Sequence, residues 1–197
     1  MMNGVTFGNL AQRKRQLVRD ELAEAALKLL AFRGFEETTI DEITAAAGVS
    51  RRTFFRYYKS KEDVIIEFLG HVGEEMQAAL AARPASETPT QALRQTLTVF
   101  TDACVAYPEK SVRLTRLILT TPSLTARYLE RQLEWKNKLA AQLQKRLGGK
   151  NNLRPVVLIG MAFAALDAAL DTWSASDGKQ DLAELLDEAF AIAFSAD

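Results

Sequence analysis

Apolar positions recur along this chain at steps of three and four residues almost from end to end. No stretch alternates with the period of two that a half-buried strand requires. Val18, Leu22, Ala25, Leu29 and Phe32 predict one face of an opening helix, with Gly34 as its stop. Thr39 followed by Glu42 is a capping-box pattern, in which each side chain satisfies the other residue's backbone amide. The helix it opens is short, because Gly48 comes soon after. Ser50 caps a second short helix and Ser60 a third. A helix over 61–82 ends before Pro84, and Thr88-Pro89 opens the next with a cap and a proline at its first position. Pro108 and Pro122 divide the next stretch into short helices. A long helix then runs from Pro122 to Leu147 and stops at Gly148-Gly149, and two more occupy 154–174 and 180–195. Residues 1–12 read as an arm. The predicted fold is all-α, with a small head over 13–60 and a helical body over 61–197, the helix at 61–82 contributing to both.

Composition narrows the function. Of 197 residues, 48% are hydrophobic and 25% charged, ordinary values for a globular protein. The first ten residues show no signal-peptide pattern. The longest apolar run, Val156 to Leu166, is well short of the roughly 20 residues of a membrane span. A cytoplasmic protein with no membrane partner is the expectation. Cys104 is the single cysteine and His71 the single histidine, so neither a disulfide framework nor a histidine metal pair can be built. Gly148-Gly149 lacks the Lys-Ser/Thr continuation of a phosphate loop. Asp167 and Asp171, one turn apart, read as the polar edge of an apolar helix rather than as an acid pair. No cofactor, metal or enzymatic activity is expected.

Charge changes the picture. The 25 basic and 25 acidic side chains cancel, but residues 1–61 carry 11 basic against 7 acidic, leaving the remainder acidic. Within the head, residues 48–61 (GVSRRTFFRYYKSK) contain five cations among four aromatics, with no acid between Ile43 and Lys61. Residues 39–58 have the outline of a helix-turn-helix. Ile40, Ile43 and Ala47 form a packing face on the first helix, and Gly48 makes the turn. Phe54 and Tyr58 face inward from the second helix. Arg51, Arg52, Thr53, Arg56 and Tyr57 are then left outward. Arginine suits bidentate contact with guanine in the major groove, and the start of a recognition helix is what reaches base edges. The implied partner is double-stranded DNA.

The series Thr39-Ile40-Asp41-Glu42-Ile43, Ala47-Gly48-Val49-Ser50, Phe54-Phe55-Arg56-Tyr57-Tyr58 and Ser60-Lys61 resembles the N-terminal domain of the TetR family of transcriptional repressors over about residues 13–65. That resemblance implies a three-helix DNA-binding domain and a helical ligand-binding and dimerisation domain. It also implies a homodimer on a palindromic operator, released by a small-molecule effector. By position, Arg51, Arg52 and Thr53 resemble base readers, and Thr39, Ser50, Tyr57 and Lys61 resemble phosphate contacts. The family commonly has Gly where Arg52 stands and Tyr where Phe55 stands. Arg52 thus adds a contact, and Phe55 packs on the DNA backbone or the core.

In the body, an apolar pocket between central helices is expected to be walled by Phe100, Leu117, Trp135, Leu139 and Phe163, with Arg113 and Arg116 as a clamp for an anionic head. Residues 156–166 are apolar all round and 182–193 form a broad apolar stripe. A dimer interface through Leu158, Met161, Ala165, Leu182, Leu186 and Phe190 is predicted. The segment Arg51 to Tyr57, with Arg116-Leu117-Ile118-Leu119 and Pro122, resembles a subgroup that includes the mycofactocin-system regulators, which implies an apolar or amphipathic, acyl-CoA-like effector. Two other readings of the residues stay open: an architectural DNA-binding protein without a sensor pocket, and a helical ligand carrier.

Overall fold

A computed structural model describes residues 7–67, 69–148 and 153–195. The chain divides into two compact units, residues 1–69 and 70–197. Every regular element among the described residues is an α-helix.

The first unit contains α1 (Phe7–Arg33), α2 (Ile40–Ala46), α3 (Arg51–Tyr57) and α4 (Lys61–Glu67). Three of these have seven residues each, too short to persist in water on propensity alone. Burial holds them instead. Ile43 of α2, Phe54 of α3 and Val64 and Ile65 of α4 have no exposed surface, each stabilising the fold by about 1.5–3 kcal/mol relative to exposure. They meet Leu22, Ala26, Leu27 and Leu30, the inward stripe of α1. Phe32, predicted for that stripe, is instead 87% exposed. At 100° per residue it lies roughly 120° around the helix from Ala26, the middle of the buried face. Phe35, just past the Gly34 turn (φ 84°), takes the inward place. The expected arm at 1–12 is shorter than predicted, because 7–12 already belong to α1; residues 1–6 lie outside the described residues.

The second unit contains α5 (Gly70–Ala82), α6 (Pro89–Ala106), α7 (Pro108–Thr120), α8 (Pro122–Leu147), α9 (Leu153–Ala175) and α10 (Leu182–Phe194). The single helix predicted over 61–82 is therefore two, α4 packing on α1 and α5 packing on α6 and α8. The proline and cap signals place the remaining starts well: Thr88 forms a full capping box with Gln91, and Gly148 closes α8 in the left-handed region at φ 65°. Helix α9 is the hub, touching α6, α7, α8 and α10. By length and composition it could cross a membrane. Here Ile159, Ala162, Phe163, Leu166, Ala169, Leu170 and Trp173 are buried among its neighbours, as in the core helix of a globular body. Helix α5 passes close to α8 at Gly73, where a Cβ would stand 2.1 Å from Trp135 Nε1.

Candidate nucleic-acid interface

The α2–turn–α3 unit is built from its caps outward. Thr39 Oγ1 accepts the Glu42 amide hydrogen at 3.2 Å, and Glu42 Oε2 accepts the Thr39 amide hydrogen at 2.9 Å. The Thr39 amide and then the Thr39 hydroxyl, both donating to Glu42 Oε2 at 2.9 Å, hold the Glu42 carboxyl below its ordinary value, helped by the nearby Arg33 guanidinium that also pairs with it. Gly48, at φ 64°, makes the turn that most side chains resist. Ser50 then caps α3 by accepting the Thr53 amide hydrogen at 3.1 Å. Phe54 and Tyr58 point inward as predicted, their rings 5.7 Å apart. On α2 the buried residues are Ile43 and Thr44, with Ile40 and Ala47 only half-buried.

The outward residues divide by the contacts that hold them. Arg51 Nη1 donates to both carboxylate oxygens of Asp41, at 2.8 and 2.9 Å, and its guanidinium lies 5.5 Å from the Phe55 ring centre. Arg56 stacks on Tyr57 at 4.8 Å and donates to its hydroxyl at 3.0 Å. Arg52 is exposed with no side-chain partner among the described residues. Thr53 is half-buried, its hydroxyl 2.9 Å from that of Ser50. Phe55 is 48% exposed, on the outside of the unit rather than in its core. Thr39 and Ser50 are exposed at the two helix starts.

Lys61 departs from its predicted role as a phosphate contact. Its Nζ donates to the carbonyls of Phe35 at 2.7 Å and Thr38 at 3.3 Å, and sits 4.0 Å from the Phe35 ring centre. The ammonium is engaged by two carbonyls of the α1–α2 loop, of which that of Phe35 also accepts the Thr38 amide hydrogen at 3.4 Å, and it ties that loop to α4. The sequence signal was absent, because 26 residues separate donor from acceptor.

In the body, the expected pocket walls are packed against one another. Phe100, Trp135, Leu139 and Phe163 are buried, with Trp135 edge-to-face against Phe100 at 6.2 Å and Tyr128 at 6.4 Å; Leu117 is half-buried. Arg113 and Arg116 do not form a clamp. Arg113 is exposed, 4.0 Å from Glu109, whereas Arg116 donates to the Ser174 carbonyl at the end of α9 and pairs with Asp177 at 2.7 Å. An open groove of about 430 Å³ lies between α6 and α10, lined by residues including Arg94, Phe190 and Phe194 but by none of the predicted walls.

The predicted dimer residues Ala165, Leu182, Leu186 and Phe190 are buried inside their own unit, and Leu158 and Met161 are half-buried. The four buried ones help pack α9 and α10 onto the body of their own chain. The exposed apolar positions of α9 are others: Leu153, Val156, Val157, Gly160, Ala164 and Ala168. Sequence inspection also passed over Gln132. It is a fully buried amide of α8 that donates to Asp167 of α9 at 2.6 Å. Its signal was a polar residue within the stripe Leu124, Tyr128, Trp135, Leu139. Asp167, at the predicted polar edge of α9, is half-buried, and burial raises its carboxyl above the ordinary value.

A capped helix-turn-helix with a cationic outer face, joined in one chain to an all-helical second unit, is the architecture of a helix-turn-helix regulator. Residues 22–68 match the model of the bacterial regulatory proteins of the tetR family, and residues 87–194 match the MftR C-terminal domain. The chain belongs to the TetR family of transcriptional regulators, with a C-terminal domain of the MftR type. It is 37% identical over 145 residues to the transcriptional regulator TcmR of Streptomyces glaucescens, a match covering 71% of this chain and 64% of TcmR. It is 29% identical to the Mycobacterium tuberculosis protein named MftR, for mycofactocin biosynthesis, over 91% of each. Among solved structures, the repressor FadR of Thermus thermophilus in complex with lauroyl-CoA is similar at 26% identity and a TM-score of 0.61, covering 89% of this chain and 92% of that one. These families and relatives are transcriptional regulators, not enzymes.

Proposed function

We propose that the protein is a ligand-responsive repressor that binds a palindromic operator as a homodimer and leaves it when a small apolar or amphipathic molecule, such as an acyl-CoA, occupies the helical body. The observation that carries this reading is the outer face of α3, where Arg51, Arg52, Phe55 and Arg56 are exposed with no acid on the helix. Arg52 is free to reach a base edge, and Arg51 would exchange Asp41 for one. The exposed Thr39 and Ser50 starts can place amides against phosphates. The apolar outer positions of α9 support pairing with a second copy, which would present two α3 helices to half-sites one helical turn apart. The effector class is supported by the lauroyl-CoA carried by the similar FadR. Arg113 and Arg116, placed as they are, supply no shared anion site for its head.

The test begins with an operator selected from random duplexes. Arg52→Ala should lower affinity by about 1–3 kcal/mol and relax the consensus at one position. Lauroyl-CoA titrated into the complex should release the DNA. A consensus unchanged by Arg52→Ala and by Arg51→Ala would remove α3 as the reading helix.

A further inference from the structure

Helix α1 is longer than the core it covers. It has 27 residues, but its buried positions begin only at Leu22, and none of residues 13–21 is buried. At Arg19 it still touches its own unit. The Tyr58 hydroxyl donates to the Arg19 carbonyl at 3.3 Å, and the Arg19 guanidinium lies 5.9 Å from the Tyr58 ring centre. Tyr58 is the C-cap of α3, so α1 passes the end of the reading helix there, beside the exposed Lys59. Residues 7–18, about 18 Å of helix, extend beyond that contact, and residues 13–17 are all exposed.

The inward stripe of α1 does not stop at Leu22; it changes character. Counted at 100° per residue, Arg19 and Arg15 each lie within about 20° of Ala26, the middle of the buried face. Residues 1–19 hold four cations and no acid. The acids that follow, Asp20, Glu21 and Glu24, are exposed and stand roughly 120–160° away from Ala26. On that outer side Glu24 pairs with Lys28 at 2.7 Å, as on any solvated face where both signs mix. The inner line is different: apolar where the chain's own helices cover it, and cationic without an acid where they do not. Arg15 is exposed with no side-chain partner among the described residues. Solvation alone gives no reason to sort charge by sign in this way, whereas contact with a polyanion does.

We infer that the overhanging start of α1 is an additional DNA contact, in which Arg15 and Arg19 pair with phosphates of the duplex that α3 reads, next to the C-terminal end of that helix. This rests on the reading of α3 as the helix that meets the bases. It adds a clamp at the opposite end of α3 from Arg51 and Arg52. Phosphate contacts fix the register and orientation of a protein on the duplex without carrying sequence information, and the planar guanidinium suits a phosphate with two parallel hydrogen bonds. The role left empty by Lys61, whose ammonium is engaged by loop carbonyls, passes in part to these arginines.

Arg13 supplies the control. It is equally exposed and equally charged, but it lies roughly 140° around α1 from Ala26. The experiment compares Arg15→Ala, Arg15→Lys and Arg13→Ala with wild type in the full chain, each checked by thermal melt. It measures binding to an operator selected from random duplexes over a range of salt. Arg15→Ala should weaken all operator variants alike, keep the consensus, and make the slope of log affinity against log salt shallower by about 0.9 for each protomer bound. Arg15→Lys should retain the wild-type slope, and Arg13→Ala should too. An unchanged slope for Arg15→Ala, or an equal change for Arg13→Ala, overturns the inference, the second result marking a diffuse field rather than an aimed contact. A consensus altered by Arg15→Ala overturns the phosphate role as well. A consensus that depends on Arg52 with a slope indifferent to Arg15 overturns this inference and leaves α3 as the reading helix. A wild type that binds no duplex removes both.

Discussion

Replacing Gly73 with alanine sets two effects against each other, and their magnitudes decide the sign. Alanine favours a helix over glycine by about 1 kcal/mol, so α5 considered alone should gain. Against that, the new Cβ would stand 2.1 Å from Trp135 Nε1 and 2.3 Å from its Cδ1, where contact distances near 3.5 Å are comfortable. The indole has nowhere to go, being 3% exposed and held edge-to-face by Phe100 and Tyr128. Relief requires α5 and α8 to part. Overpacking of a filled core costs about 1–3 kcal/mol, more when backbone must shift, so we expect a net loss of about 2 kcal/mol. For a chain of this size that lowers the melting midpoint by roughly 4–8 °C. The assay is a double-mutant cycle, read by urea unfolding. In a Trp135→Ala background, itself destabilised by about 3–5 kcal/mol, the same Gly73→Ala change should become neutral or stabilising. A Gly73→Ala protein that melts at or above wild type, or a loss of equal size in both backgrounds, would refute the close approach of these helices.

Other expectations come from individual placements. Lys61→Met should destabilise the first unit by freeing the Phe35 and Thr38 carbonyls while leaving the salt dependence of operator binding unchanged; a slope reduced by about one unit at unchanged stability would return Lys61 to the phosphates. Because the Glu42 carboxyl is held below its ordinary 4.5, its contribution is complete above that pH and is lost as pH falls through the lowered value. The stability difference between wild type and Glu42→Gln should therefore be flat from neutral pH to about 4.5 and close below it; a gap that widens on acidification would contradict this. Val157→Glu on the outer face of α9 should give folded monomers with weakened operator binding, whereas Leu186→Glu should fail to fold. Sedimentation showing an unchanged assembly for Val157→Glu would exclude that face.

Helix starts were legible because caps and prolines act locally: Thr39, Ser50, Thr88, Pro108 and Pro122 each announce a start from a few neighbouring residues. Which face of a helix turns inward was less so. Periodicity gave α1 a stripe, but tertiary packing turned it toward Ala26 and Leu30 and left Phe32 outside. The same limit misassigned α10. Its stripe is real, yet Leu182, Leu186 and Phe190 serve the chain's own core, and an apolar pattern carries no mark of whose surface will cover it. The break between α4 and α5 also escaped, although Gly70 stands at the start of α5, because the apolar pattern continues on both sides of a change of packing partner.

The cationic stretch shows how far a charge count can mislead about a binding face. Its five cations suggest five interchangeable phosphate contacts, but Lys61 is spent on loop carbonyls, Arg56 is stacked on Tyr57, and Arg51 is held by Asp41. Only Arg52 and Lys59 have side chains without a partner among the described residues. In the proposed role this is an advantage for selectivity rather than a loss of affinity. An arginine already fixed in place gives up little side-chain freedom on meeting a base. Asp41 also sets a threshold: a sequence that offers Arg51 only a weak acceptor cannot displace the carboxylate. Discrimination then comes from competition with an internal acid as much as from attraction to the correct base.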